Sequence, residues 1–182
     1  MKKFLQFIWE IAKMVIIASA IVVPIRYFLF QPFIVKGDSM VPNFHENDYL
    51  IIDEISYRFQ APQRGDVIVF RYPQNPSQRF IKRIIGLPKE TVEINDGQIF
   101  IYTVDGATLI LNEADYLSNP IKDGNKLKTE LGDNEYFVLG DNRNFSSDSR
   151  RWGALPRENI IGKVFLRVFP IAALARFETP AY

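Results

Sequence analysis

Three short segments of the sequence contain side chains that could do chemistry together. In the first, VKGDSMVP, Ser39 lies in a turn of small residues. Such a turn can expose a hydroxyl and direct main-chain N–H groups toward a developing oxyanion. The same residue types are also common in turns that have no catalytic role. Ser39 is therefore a candidate nucleophile whose assignment depends on a base elsewhere in the chain.

The second segment, RFIKRIIG, offers such a base in Lys82. The two-residue period of a β-strand predicts that Phe80, Lys82 and Ile84 lie on one face. An apolar face disfavours the charged ammonium and lowers the pKa of a lysine from its usual value of about 10.4. A neutral amine can accept the proton of a serine hydroxyl, so a Ser–Lys pair needs neither histidine nor cysteine. The alternative is a lysine that extends to water.

The third segment, GDNRNFSSDSRRWG, follows an apolar strand and is rich in charged and hydroxyl side chains. Carboxylate–guanidinium pairs and bonds to the main chain can fix the conformation of such a loop. Arg83 stays charged and cannot act as a base, so we expect it to pair with a carboxylate behind the site. The alternative for the third segment is a solvated charged loop. Its charged residues are Asp141, Arg143, Asp148, Arg150 and Arg151, and its hydroxyl residues are Ser146, Ser147 and Ser149.

Composition limits the chemistry that these residues can serve. The 182 residues include no cysteine and one histidine, His45. The absence of cysteine excludes thiolate nucleophiles, disulfides and cysteine-based metal centres. A single histidine argues against a metal site built on imidazoles, so any metal would need carboxylates alone, and we predict neither a metal nor a cofactor. Lys and Arg number 22 against 21 Asp and Glu, which gives a net charge of +1. This balance predicts no nucleic-acid partner.

The N-terminal segment predicts a membrane anchor. About 19 residues from Phe7 to Ile25 are mainly apolar, close to the roughly 20 that a helix needs to cross the hydrocarbon layer. Glu10 and Lys13 interrupt the stretch, but they lie three residues apart and can pair. Lys2 and Lys3 place the N-terminus in the cytoplasm by the positive-inside rule. We therefore predict a single-pass protein of the cytoplasmic membrane, with its body on the extracytoplasmic side.

A cleavable secretory signal is the competing interpretation of this segment. Ala18, Ser19 and Ala20 have the small-x-small form of a cleavage site. The uninterrupted apolar run before them, Met14 to Ile17, is short for such a signal, and apolar residues continue after the triplet. An uncleaved anchor is favoured.

Beyond Pro32, short β-branched and aromatic runs alternate with turn residues, which is typical of strands. We predict a mainly β fold, in which an N-terminal transmembrane helix precedes an antiparallel, strongly bent β-sheet catalytic core with a small inserted β subdomain. Asp96-Gly97 and Asp105-Gly106 predict tight hairpin turns. A long decorated loop is the alternative for the insert. The predicted boundaries are 1–31 for the cytoplasmic N-terminus and anchor, 32–92 and 132–182 for the core, and 93–131 for the insert.

Taken in order behind an N-terminal anchor, SM-x-P, IKRIIGLP and GDNR-x-x-S-x-DSR resemble the motifs of type I signal peptidases. The resemblance covers nearly the whole chain, from the anchor through Gly162 and Lys163. It implies a membrane-anchored serine endopeptidase that removes N-terminal signal peptides from exported preproteins after small-x-small sites. The implied partners are preprotein substrates and membrane lipid, and we expect a monomer.

Matching motif positions imply a role for each site residue. Ser39 would be the nucleophile and Lys82 the general base, while Ser146 would orient the lysine amine through a hydrogen bond. Met40 would contact the substrate. The supporting ion-pair network would consist of Asp141, Arg143, Asp148 and Arg150.

Two residues depart from the family pattern. Gly37 stands where some members carry a serine that donates to the oxyanion, and Asn43 stands where threonine is common.

Two other functions are alternatives. A self-cleaving Ser–Lys repressor would be soluble, would carry a DNA-binding segment and would lack the third motif. A catalytically inactive, membrane-tethered β-module that binds peptides or partners would leave Ser39 and Lys82 without chemistry.

Overall fold

The computed structural model describes residues 2–24, 30–114, 116, 117, 121 and 126–176. Its helices are α1 (Lys2–Pro24), α2 (Ser56–Phe59) and α3 (Ser149–Trp152), with short 3-10 helices at Arg157–Asn159 and Ile171–Ala173. Its strands are β1 (Phe30–Ile34), β2 (Tyr49–Asp53), β3 (Val67–Tyr72), β4 (Asn75–Gly86), β5 (Thr91–Asn95), β6 (Gln98–Tyr102), β7 (Thr108–Ile110), β8 (Leu127–Glu130), β9 (Glu135–Leu139), β10 (Leu155–Pro156), β11 (Ile160–Phe169) and β12 (Ala175–Arg176).

The apolar N-terminal segment forms α1, in which Lys13 pairs with Glu10 at 2.7 Å. Many of its large apolar side chains are exposed, among them Phe7 and Trp9. In the described part of the chain, no helix is long and apolar enough to cross a membrane. The predicted span from Phe7 to Ile25 therefore stays a prediction, and Ile25 lies outside the described residues.

The main sheet is antiparallel and has eight strands, in the order β1-β2-β11-β3-β4-β9-β10 with β12 on β11. Consecutive strands β3 and β4 form a hairpin, whereas β2 pairs with β11 from the far end of the chain. Register shifts interrupt several pairs, and such irregularities bend a sheet. The mainly β, antiparallel class predicted from the sequence is confirmed.

A second sheet, in the order β7-β6-β5-β8, connects β4 to β9. Positive φ angles at Asp96, Gly97 and Gly106 make the two tight turns that the sequence predicted. The polar strand β8 was not predicted, because LKTE carries no run of β-branched or aromatic residues. β5 pairs with β6 and β8 from Thr91 onward, so the predicted boundary at residue 93 falls inside a strand.

Three apolar clusters meet along β4. Ile81 packs in a cluster with residues of β2 and of the Ser39 turn, and Ile84 packs in another with Phe70. Ile85 belongs to the third cluster, which joins the two sheets. Burying one such side chain contributes about 1.5–3 kcal/mol. The strand that carries Lys82 is therefore fixed from several sides.

Candidate active site

Ser39 and Lys82 meet beside β4. Lys82 Nζ lies 2.7 Å from Ser39 Oγ and donates a hydrogen bond to the Ile81 carbonyl at 2.8 Å. The lysine is only 4% exposed, and Ser39 is half-buried. The structure thus brings the two predicted residues to the distance that proton transfer between a nucleophile and its base requires.

Burial lowers the pKa of Lys82 from 10.5 to about 8, because the ammonium is removed from water. The negative charges of Asp148 and Asp141 act in the opposite direction and raise this pKa. The Phe80 ring centroid lies 5.6 Å from Nζ, on the strand face predicted from the sequence, and Ile84 is buried in the cluster against which Phe80 packs. A neutral amine is therefore accessible at mildly alkaline pH.

The turn that carries Ser39 is held by the third motif. Asn142 donates its main-chain N–H to the Ser39 carbonyl and its side-chain amide to the Asp38 carbonyl, each at 3.0 Å. Gly140 allows the two loops to approach this closely, because a Cβ there would overlap Ser146 Oγ and the Ser39 carbonyl. The position of Ser39 is thus set by main-chain contacts that depend on a glycine.

Arg83 pairs with Asp141 behind the site, as the sequence led us to expect. Its Nε and Nη2 donate to the two carboxylate oxygens at 2.9 and 2.7 Å, and Nη1 donates to the Gly65 carbonyl at 2.9 Å. The Asn43 amide donates to the same carboxylate at 2.8 Å, and the Tyr116 ring packs 4.2 Å from the guanidinium. This buried pair links the third motif to β4.

Asp148 and Arg150 form a second pair within the third motif. Arg150 Nε and Nη2 each donate to the fully buried Asp148 carboxylate at 2.8 Å, and Nη2 also donates to the Arg143 carbonyl at 2.7 Å. Asp148 accepts a further bond from the Gly140 N–H at 3.1 Å. The pair therefore fixes the loop around Gly140, next to Ser39.

Arg143 pairs outside its own loop, with Glu113. Both Nη atoms donate to the Glu113 carboxylate, Nη2 to Oε1 at 2.7 Å, and Nε donates to the Gly140 carbonyl at 3.0 Å. Glu113 lies between β7 and β8, and the sequence analysis missed it. The signal was the third motif itself, whose three arginines, together with Arg83, outnumber its two aspartates, so a carboxylate from elsewhere was to be expected.

Two predicted roles are not matched by contacts. The Ser146 hydroxyl is buried and has no hydrogen-bond partner among the described residues, so the predicted bond to Lys82 is not made. The Lys82 amine is bonded instead to Ser39 and to the Ile81 carbonyl. Met40 was predicted to contact substrate, but its side chain is fully buried in the core and its Sδ accepts from the Asp141 N–H at 3.4 Å.

Ser39 and Lys82 open onto a cavity of about 620 Å³ between β1 and β4. Its apolar walls are Phe33 and Ile34 of β1 and Phe80 and Ile81 of β4, and Ser147 of the third motif completes it. An extended peptide can lie along such strands and present alternate side chains to the walls. Within the part of the chain that the structure describes, no group of three or more His, Asp or Glu could hold a metal ion.

The family described as signal peptidase, peptidase S26, matches residues 8–169. The chain belongs to this family. The match runs from within α1 to the end of β11 and includes both Ser39 and Lys82. The resemblance read from the three motifs is confirmed, and the chain is a serine endopeptidase, a hydrolase.

Two relatives that align over most of the chain agree with this placement. A probable signal peptidase I-1 of Synechocystis sp. is 38% identical over 172 residues, which cover 91% of this chain and 84% of that protein. A signal peptidase I of Leptolyngbya laminosa is 40% identical over 163 residues, which cover 86% of this chain and 77% of that protein. A crystal structure of a signal peptidase I from Enterococcus faecalis V583 is 33% identical and covers 57% of this chain and 97% of that chain, with a TM-score of 0.46.

The two departures from the signal peptidase pattern have clear local settings. The Asn43 amide donates to the Tyr116 carbonyl and to Asp141, each at 2.8 Å, so it joins the buried network. Gly37 has a φ of +75°, which favours glycine, and it offers no hydroxyl for an oxyanion. A side-chain hydroxyl that donates to the oxyanion must therefore come from another residue.

Proposed function

We propose that this peptidase removes N-terminal signal peptides from exported preproteins after small-x-small sites, with Ser39 as nucleophile and Lys82 as general base. The proposal rests mainly on the 2.7 Å separation of Ser39 Oγ from a buried amine whose pKa is lowered to about 8. The relatives named above are signal peptidases, which supports this class of substrate.

The chemistry follows from the proton positions. Neutral Lys82 takes the proton of Ser39 Oγ as the oxygen attacks the carbonyl carbon of the scissile bond. The ammonium then gives this proton to the leaving nitrogen, the C–N bond breaks, and an acyl ester remains on Ser39. Lys82 next takes a proton from the water that attacks the ester and returns it to Ser39 Oγ as the ester breaks. The charges of Asp141 and Asp148 stabilise the transient ammonium.

The substrate would lie extended between β1 and β4. The walls of the cavity carry large side chains, Phe33 and Ile34 on one side and Phe80 and Ile81 on the other. Large walls leave little depth for substrate side chains near Ser39, which favours small residues there. Main-chain hydrogen bonds to a strand would supply affinity without regard to the rest of the substrate sequence.

We further propose that α1 anchors the enzyme in the cytoplasmic membrane, with Lys2 and Lys3 in the cytoplasm and the β-body on the extracytoplasmic side. The exposed apolar side chains of α1, such as Phe7 and Trp9, support membrane association. Since every site residue comes from one chain, a monomer suffices for catalysis. Protease added outside wall-stripped cells should digest the body beyond Arg26, while a tag at the N-terminus stays protected. Reversed protection would contradict this orientation.

The central test uses the full chain solubilised in detergent and a synthetic preprotein with a single Ala-x-Ala site. We expect one cleavage, and sequencing of the released fragment should place its N-terminus directly after the second alanine. Ser39→Ala protein, prepared in the same way, is the matched control and should release nothing. Cleavage at other positions would contradict the proposed specificity. No cleavage by the native chain would favour the inactive peptide-binding module.

A further inference from the structure

A second cavity, of about 270 Å³, lies beside the catalytic one and is lined by four arginines. We call it the arginine cavity. Its cationic side chains are Arg58 of α2, Arg71 of β3, Arg79 of β4 and Arg157 of the 3-10 helix after β10, and its acidic side chain is Glu54. Arg79 lines both cavities, so a ligand in the second would adjoin the first. The proposed peptidase mechanism makes no use of this cluster.

The four arginines are not matched by carboxylates. None of them forms an ion pair with a described residue. Arg79 Nη1 donates to the Gln31 side-chain oxygen at 3.3 Å, and Arg157 Nη2 donates to the Tyr57 carbonyl at 2.7 Å, so both acceptors are neutral. The guanidiniums of Arg83, Arg143 and Arg150 differ, because each pairs with a carboxylate. The positive charge of the arginine cavity therefore remains available to a ligand.

Two of these arginines face each other across a strand pair. Arg71 of β3 and Arg79 of β4 are directly opposite in the antiparallel register. Like charges in opposite positions destabilise a sheet. An anion bound by both guanidiniums would remove this repulsion.

Glu54 does not neutralise the cavity. Its Oε1 is buried with no hydrogen-bond partner among the described residues. Burial raises the pKa of this carboxyl, whereas the charges of Arg79, Arg58 and Arg71 lower it. Four guanidiniums against one carboxyl leave the cavity positive in either protonation state of Glu54.

We propose that the arginine cavity binds a phosphate group. Planar guanidinium forks match the oxygens of phosphate, and several of them converge here within one small polar cavity. The phosphate can belong to a phospholipid headgroup or to a soluble phosphate ester. The lipid source rests on the proposed membrane anchor. Gln31, which lines the cavity, comes seven residues after Pro24, the end of α1, so the chain between them can span at most about 25 Å. Phe59 is 83% exposed next to Arg58, and exposed apolar side chains beside basic ones are typical of segments that lie at a membrane interface.

Inorganic phosphate is the first probe, titrated into the full chain by calorimetry at constant ionic strength. We expect the native protein to bind it and the double variant Arg58→Gln, Arg71→Gln to bind it about tenfold more weakly. Lys89→Gln with Lys128→Gln removes the same charge from side chains that are each 60% exposed, and this control should bind like the native protein. Equal phosphate binding by the two double variants would overturn the proposal.

Vesicle flotation distinguishes the two sources of phosphate. The vesicles contain phosphatidylcholine alone or with phosphatidylglycerol. For a phospholipid ligand, the arginine variant alone should lose the extra flotation that phosphatidylglycerol gives, and inorganic phosphate should compete with the vesicles. For a soluble ester, the arginine variant should lose phosphate binding but float like the native protein. A variant unchanged in both measurements would disprove the arginine cavity as a phosphate site.

A third variant gives a change of opposite sign. Glu54→Gln removes the carboxyl from the cavity and should tighten phosphate binding several-fold at pH 8, a gain that misfolding cannot produce. Unchanged or weaker binding would count against the proposal. Cleavage of a soluble peptide should be unaffected in the arginine variant, since Arg58 and Arg71 do not line the catalytic cavity. If the arginine variant loses phosphate binding and still cleaves the peptide, the phosphate site is independent of the peptidase activity. If the native protein binds phosphate but does not cleave, only the proposed peptidase activity fails.

Discussion

The charged side chains at the two ends of β4 differ in burial and in ion pairing. At the end near Gly86, Lys82 and Arg83 are buried, and the guanidinium of Arg83 is bonded at two points to Asp141. At the other end, Arg79 is exposed, lies opposite Arg71 and has a neutral partner in Gln31. One strand therefore carries a buried ion pair at one end and, at the other, an exposed arginine with no carboxylate partner among the described residues.

The difference shows what each end can do. Buried ions need matched partners because desolvation is costly, and a matched network holds its members in one geometry. Exposed cations lose little free energy without a partner, because water screens them, and they stay free to exchange ligands. The buried end is suited to positioning a nucleophile and its base, and the exposed end is suited to reversible binding.

The largest effect is expected at Ser39 and Lys82. Ser39→Ala and Lys82→Ala should each lower kcat/KM for a synthetic preprotein by about 10³-fold or more, and the double variant should be no worse, because the two groups act as one unit. Arg71→Gln, on the neighbouring strand, should retain native activity on the same peptide. Substantial activity in either single variant at the buried pair would assign the chemistry to other residues.

The next effect tests the buried ion pair behind the site. Asp141→Ala leaves Arg83 buried without its carboxylate and should lower the free energy of unfolding by about 3–5 kcal/mol. Asp133→Ala breaks an exposed pair with Lys89 and should cost no more than about 1 kcal/mol.

Denaturant titration of both variants makes this comparison. The double variant Arg83→Met, Asp141→Leu should recover part of the stability lost in Asp141→Ala, since it also removes the buried guanidinium that Asp141 had neutralised. Equal losses of unfolding free energy in Asp141→Ala and Asp133→Ala would show that the buried pair contributes no more stability than the exposed one.

Glu113 should have a smaller effect on the same network. Glu113→Gln keeps the shape of the side chain but removes the charge opposite the buried Arg143, and we expect a loss of about 1–3 kcal/mol in the free energy of unfolding. Activity should fall as well, because Arg143 also holds the Gly140 carbonyl next to Ser39. Glu130→Gln, on the exposed face of β8, is the control and should change neither quantity. If Glu113→Gln changes neither the free energy of unfolding nor the activity, the contact between Glu113 and Arg143 does not support the site.

The pH dependence of activity should show the depressed pKa of Lys82. Since the pKa is about 8 and only the neutral amine is active, kcat/KM should rise about tenfold from pH 7 to a plateau above pH 9. Phe80→Gln should admit water and move the rising limb toward 10.5. Because the folded pKa lies below the unfolded one, unfolding takes up a proton between about pH 8 and 10.5, so the contribution of Lys82 to stability should rise across that range. A limb that stays in place in Phe80→Gln would assign the titration to another group.

The smallest effect is expected at the exposed end of β4. Arg71→Gln removes one member of the opposed arginine pair and should raise the free energy of unfolding by roughly 0.2–1 kcal/mol in phosphate-free buffer. Thermal melts at low and high salt provide the measurement, and salt should reduce the gain by screening. A loss of stability in Arg71→Gln would mean that the opposed pair is not repulsive.

Sequence reasoning succeeded where the evidence was local. Alternation along one strand correctly predicted the shared face of Phe80, Lys82 and Ile84, and charge type correctly predicted a carboxylate partner for Arg83. It missed Glu113, because the contact with Arg143 joins segments whose proximity depends on how the second sheet packs. Motif positions implied a bond between Ser146 and Lys82 that the structure does not contain, because they cannot show that the lysine amine donates to the Ile81 carbonyl.

The pairing of β2 with β11 has a consequence for how the enzyme is made. Asp53 pairs with Lys163, across more than half of the chain, whereas the second sheet is built largely from neighbouring hairpins. Contacts between distant segments form slowly, because loop-closure entropy is lost before any contact compensates for it. The second sheet should therefore form early and the main sheet close late. β11 lies between β2, which follows Ser39, and β3, which pairs with the Lys82 strand β4. A ribosome-bound nascent chain should therefore have no peptidase activity until β11 has emerged.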